Sequence, residues 1–122
     1  MKILLVHEDE GMLHHIEQMI MVYYPDGEIE IFSSAKDALC EINNQESRID
    51  ICFAKVQTSE VSGFRIAEEV RKYNRMAKIV FIASDDRFAL DGWRFGMNDY
   101  LIEPLTEDSI RHTLISCASE VS

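Results

Sequence analysis

The acidic run His7-Glu8-Asp9-Glu10, the lone Lys55, the hydroxyls Ser59, Ser62 and Ser84, and Glu103 are the places where this chain could do chemistry. Imidazole beside carboxylates is a donor set for zinc and other transition metals, which makes His7, Glu8, Asp9, His14 and His15 a candidate cluster. On a helix, however, the adjacent His14 and His15 point about 100° apart, so one ion cannot take both. His7 with Glu8 and Glu103 is what remains of a metal site, and a polar residue closing the top of a strand is the plainer reading. Nucleophilic catalysis needs a hydroxyl within reach of a base. No histidine stands at useful spacing from Ser59, Ser62 or Ser84, so these read as turn and cap residues. A nucleotide or flavin site would use a Gly-rich turn after the first strand, whereas this turn is acidic and repels phosphate. No metal and no cofactor are expected.

These residues fall at the ends of regular apolar runs. Lys2 to Val6 is a continuous apolar stretch, the pattern of a strand buried on both faces. Leu13, Ile16 and Ile20 recur at helical spacing from Gly11 to about Val22, with Asp9 and Glu10 near the positive end of that helix, and Pro25-Asp26-Gly27 makes a turn. Glu28 to Phe32 alternates charged and apolar residues, which suits a sheet edge. Ser34 can cap a helix over Ala35 to about Ile42. Ile51 to Ala54 is a third strand, Gln57 to Gly63 a loop, Phe64 to Tyr73 a helix and Lys78 to Ala83 a fourth strand. Arg87 to about Phe95 reads as helix, Tyr100 to Ile102 as a fifth strand, Pro104 as a break and Glu107 to Ala118 as a last helix, followed by a small polar tail.

Five repeats of strand then helix favour a parallel sheet covered on both faces. In such folds sites form at the carboxyl ends of the strands, which are His7-Glu8, Lys55, Ala83 and Glu103. The 122 residues, 47% hydrophobic and 28% charged, suit one α/β domain spanning 1–122. A net charge of −10 argues against direct contact with nucleic acid, which is gripped by cationic side chains. No run approaches the ~20 apolar residues of a membrane span, and a cytoplasmic location is expected. Cys40, Cys52 and Cys117, odd in number and each within an apolar pattern, are expected to be buried reduced thiols.

Val6 before an acidic cluster, Asp50-Ile51-Cys52-Phe53-Ala54 before a loop ending in Gly63, and Asp99-Tyr100-Leu101-Ile102-Glu103-Pro104 together resemble the receiver domain of bacterial response regulators. The segment Asp86-Arg87-Phe88-Ala89-Leu90 most resembles receivers that precede LytTR-type DNA-binding domains. The resemblance implies a doubly wound, flavodoxin-like sheet of strand order 2-1-3-4-5. It also implies a phosphoacceptor aspartate after strand three, an acidic pair holding Mg²⁺ after strand one, a Thr or Ser after strand four and a Lys after strand five. Those positions are held here by Lys55, by His7 and Glu8, by Ala83 and by Glu103, so the resemblance carries over positions and not the activity. An ammonium at the centre would repel Mg²⁺, and phosphoryl transfer depends on that metal and on a competent nucleophile. The acceptor's negative charge and the lysine's positive charge have traded places, which predicts a Lys55–Glu103 ion pair.

Tyr100 matches the family's switch aromatic but is expected to act mainly as a half-buried strand residue. Phe88, Trp93, Phe95 and Met97 are candidates for an exposed dimer patch beside it, though most are expected to be core. The expectation is a degenerate receiver, not an enzyme, that binds a protein partner or a second copy through helix 4, strand 5 and helix 5, with an effector domain in a longer parent chain. Two alternatives stay open: a phosphoacceptor using Asp50, Glu8 or Asp9, and a small-molecule sensor using the former phosphorylation pocket.

Overall fold

The structure, a computed structural model, describes residues 1–44 and 48–121, with the side chains of 118–121 left aside. Its elements are β1 (Lys2–Val6), α1 (Glu10–Tyr23), β2 (Glu28–Phe32), α2 (Ala35–Asn44), β3 (Ile51–Lys55), α3 (Gly63–Tyr73), β4 (Lys78–Ala83), α4 (Ala89–Phe95), β5 (Asp99–Ile102) and α5 (Glu107–Val121). The strands form one parallel sheet in the order β2-β1-β3-β4-β5. This is the doubly wound strand order that the resemblance implied.

Strand periodicity sorts the core into two layers. Ile3 and Leu5 of β1 pack with Phe53 and Ile82 against Leu13, Ile16 and Ile20 of α1 and Ile110 and Leu114 of α5. Leu4 and Val6 pack on the other face with Cys52, Ala54 and Phe81 against Ala38 and Ile42 of α2 and Ile66 and Val70 of α3. Phe53 and Phe81 are fully buried, each contributing about 1.5–3 kcal/mol from the apolar surface withdrawn from water. Phe64, Phe81 and Phe95 meet at centroid separations of 4.6, 5.7 and 6.3 Å and join α3, β4 and α4 in one aromatic cluster. β2 lies at an edge, only partly buried, with Glu30 3.1 Å from the Lys2 ammonium.

Several boundaries differ from the sequence reading. Asp9 is the N-cap of α1, its carboxylate accepting the Met12 N–H at 3.0 Å, so the helix starts at Glu10. α4 starts at Ala89 and not at Arg87. The Asp85 carboxylate accepts the Arg87 N–H at 2.9 Å and holds that stretch as a turn. α4 ends at Gly96, whose φ of 95° is the left-handed conformation that closes a helix. α5 continues to Val121, so the expected polar tail is largely helix. Cys40 is exposed, against expectation, because it lies on the outer side of α2, while Cys52 and Cys117 are buried. Burial pushes the Cys52 thiol up to about 12, which makes it inert at neutral pH.

Candidate functional site

The parallel sheet delivers the ends of β1, β3, β4 and β5 to one pole, and the expected residues meet there. Lys55 ends β3, and its ammonium donates to the Glu103 carboxylate in a part-buried ion pair. The other Glu103 oxygen lies 3.2 Å from His7 Nε2, and the Lys55 ammonium also donates to Ser84 Oγ at 3.2 Å. A chain of polar contacts therefore runs His7–Glu103–Lys55–Ser84 across the ends of four strands. Ala83 is buried beneath it and contributes its backbone carbonyl, which accepts the Glu103 N–H at 2.8 Å.

The tautomer of His7 follows from its neighbours. The Asp9 N–H donates to Nδ1 at 3.1 Å, so Nδ1 is unprotonated, and the proton on Nε2 is the one that reaches Glu103. His7 is 5% exposed. Burial, and then the Lys55 charge, hold its pKa below the usual histidine value, with Asp9 and Glu8 opposing. Burial also lowers the Lys55 pKa, against the pull of Glu8 and Asp85.

Glu8 faces the other way. Its two oxygens accept the backbone N–H of Ser59 at 2.9 Å and the Ser59 hydroxyl at 2.6 Å. The β3–α3 loop is also tied by Ser34, whose hydroxyl donates to Glu60 at 3.0 Å. Ser62 caps α3 by accepting the Phe64 N–H at 3.1 Å. The next residue must be glycine, because a Cβ on Gly63 would lie 2.4 Å from the Lys55 carbonyl oxygen.

These engagements bear on the metal. Mg²⁺ needs an octahedral set of oxygens, but both Glu103 oxygens serve Lys55 and His7, both Glu8 oxygens serve Ser59, and Asp9 caps α1. With an ammonium at the centre, the residues present do not fit the ion. Among the described residues no group of three or more His, Cys, Asp or Glu side chains could hold a metal. His14 and His15 lie exposed on α1, His14 3.4 Å from Glu17. Asp50, one of the alternative phosphoacceptors, sits at the opposite pole, where its carboxylate accepts the Lys2 N–H at 2.8 Å.

Beside the pole, Tyr100 on β5 donates its hydroxyl proton to the Asp85 carbonyl at 2.7 Å and accepts the Phe88 N–H at 3.3 Å. It is partly buried, as expected for a strand aromatic, yet its oxygen also fixes the β4–α4 turn. Of the four residues expected to be mostly core, Trp93 is the exposed one, at 72%, with Leu90 at 57% and Ile102 at 47%, while Phe88, Phe95 and Met97 pack partly against the core. Sequence reasoning missed two partners, Ser59 for Glu8 and Ser84 for Lys55. Ser84 follows Ala83 directly and was legible as a strand-end hydroxyl. Ser59 had no signal, since its contact spans 51 residues.

The family model described as the response regulator receiver domain matches residues 3–115. Among curated proteins, the sensory transduction protein LytT of Bacillus cereus is 37% identical over 90 residues, covering 71% of this chain and 36% of that protein. LytT of Bacillus subtilis is 28% identical over 106 residues, 87% of this chain and 44% of its own length. This chain thus spans less than half of these relatives. Among solved structures, a response regulator receiver domain protein from Clostridium thermocellum superposes with a TM-score of 0.84 at 19% identity, covering 98% of this chain and 95% of the other. The BeF3-activated DrrB receiver domain gives 0.82 at 18%, covering 97% of each.

Proposed function

The chain belongs to the response regulator receiver domain family, and from that premise we propose that it is a receiver of two-component-type signalling that works without taking up a phosphoryl group. The observation that carries this reading is the Lys55–Glu103 pair: the acceptor position holds an ammonium, and the position of the family's lysine holds the carboxylate that neutralises it. A protonated amine has no lone pair with which to attack phosphorus, and it opposes the metal that would neutralise the transferring group. The chain's output is then a conformation, constitutive or set by a ligand and not by phosphate, that protein partners read, with no reaction catalysed.

The surface that suits such a partner is the face of α4, β5 and α5, where Leu90, Trp93 and Ile102 stand exposed. Exposed aromatic and aliphatic side chains are the usual anchors of interfaces. The occupant we assign is a second copy of the chain, which would pair two effector domains in a longer parent transcription regulator. Its place would be the cytoplasm; no described helix is long and apolar enough to cross a membrane.

The test is intact mass after incubation with Mg²⁺ and acetyl phosphate, alongside a phosphorylatable receiver. An unchanged mass is expected. A stoichiometric, base-labile adduct would overturn the reading and point to Glu8 or Asp9, the carboxylates already at this pole.

A further inference from the structure

Both ring nitrogens of His7 are committed, and in opposite senses. Nε2–H donates to Glu103, while Nδ1 accepts from the Asp9 N–H. A second proton can arrive only at Nδ1, where it would face another donor. Two N–H groups cannot share that contact, so protonation must break it. The Asp9 N–H belongs to the residue that caps α1, and the positive end of the helix dipole lies alongside.

The surrounding charges set the balance. Glu8 and Asp9 from the β1–α1 turn favour the added proton, and Lys55 from β3 and burial oppose it. Glu103, from the segment after β5, already neutralises Lys55, and the charge of Asp85, after β4, also favours the Lys55 ammonium. β2 contributes the Phe32 carbonyl, which accepts the backbone N–H of His7 at 3.1 Å and leaves the ring untouched. With His7 neutral, the Lys55–Glu103 pair sums to zero; a proton on His7 leaves one buried positive charge in excess.

We propose that His7 is a proton-binding site that controls the former phosphorylation pole: protonation at Nδ1 expels the Asp9 N–H and uncouples the start of α1 from the strand ends. The disturbance has a route outward, because Glu8, between His7 and Asp9, grips Ser59 through both oxygens. Loss of the His7–Asp9 contact therefore loosens the β3–α3 loop as well as the helix entry. The inference depends on the reading above only for the site it regulates; a phosphoryl adduct would overturn that reading, while the experiment below tests proton binding alone.

The experiment is a pH titration of the ¹⁵N-labelled chain by NMR from about pH 7.5 to about pH 5, the range in which histidine titrates. At the upper limit the His7 ring is expected as the Nε2–H tautomer. Its midpoint should lie below 6.5, with the Asp9 and Ser59 amide resonances moving at the same midpoint. In His7→Gln, which keeps a side-chain amide but cannot titrate, that coupled movement should disappear. An Nδ1–H tautomer at neutral pH, a His7 titration that leaves the Asp9 amide unmoved, or the same amide movement in His7→Gln would each overturn the proposal. Should His7→Gln not fold, the wild-type tautomer and the coincidence of midpoints decide it.

Discussion

The strand-end pole and the α4–β5 face lie side by side and are built on opposite terms. At the pole the polar groups are satisfied by one another: Lys55 by Glu103 and Ser84, His7 by Glu103 and Asp9, Glu8 by Ser59. On the face, Leu90, Trp93 and Ile102 present apolar surface to water. A reactive site normally keeps a group unsatisfied for its substrate, and an interface keeps apolar surface uncovered for its partner. By that measure the pole is closed to a metal or a phosphoryl donor and the face is open to association.

The largest effect expected from breaking this contrast is at the ion pair. Glu103→Lys should cost about 3 kcal/mol in chemical denaturation, the low end for a pair only partly buried, because Lys55 and His7 both lose their acceptor. Lys55→Asp should also destabilise. The double variant, which restores opposite charges in exchanged positions, should be markedly less damaged than the two singles summed. Simple additivity would mean that the two side chains do not couple, and the closed pole would lose its main tie.

A smaller effect separates the regions by pH. Because the folded value of His7 lies below 6.5, the unfolded chain binds the proton more readily in the window beneath 6.5. Its contribution is therefore fully present above that pH and declines as pH falls through 6.5 toward the folded value, by at most about 1.4 kcal/mol per pH unit. Denaturant midpoints of wild type and His7→Gln should diverge in that window and run parallel above it. A parallel course throughout would remove His7 from the stability of the pole.

The smallest effect on folding should come from the face. Trp93→Ala is expected to change stability by no more than about 0.5 kcal/mol, since the side chain is largely in water. Sedimentation equilibrium should nevertheless register weaker self-association. A loss of stability above about 1 kcal/mol with association intact would reverse the assignment and make Trp93 a packing residue.

The fold was legible because it depends on period. Apolar runs such as Lys2–Val6 and Lys78–Ala83 announce strands buried on both faces, and Leu13, Ile16 and Ile20 announce the helix that covers one of them. The charge exchange between positions 55 and 103 was legible for a different reason: the resemblance to receiver domains places both positions in one pocket at the strand ends, and their expected charges are reversed here. What failed depends on contacts that no period encodes. The late start of α4 comes from Asp85 and Tyr100 holding a turn, and the exposure of Cys40 and Trp93 depends on which side of a helix its neighbours leave bare. The bond from Glu8 to Ser59 joins two loops with no pattern in common.

α4 itself is short, and the Tyr100 hydroxyl holds the turn at its entry through Asp85 and Phe88. Its exit is gripped from α3, where Arg71 donates to the Phe95 carbonyl at 3.4 Å and lies 5.2 Å over the Phe95 ring. Mechanically it is a beam clamped at both ends. Its inner side is seated as closely as its ends, since a Cβ on Gly92 would lie 2.4 Å from Met97 Sδ. The same seating that turns Gly92 inward leaves Leu90 and Trp93 outward, so the apolar face is presented in a set orientation.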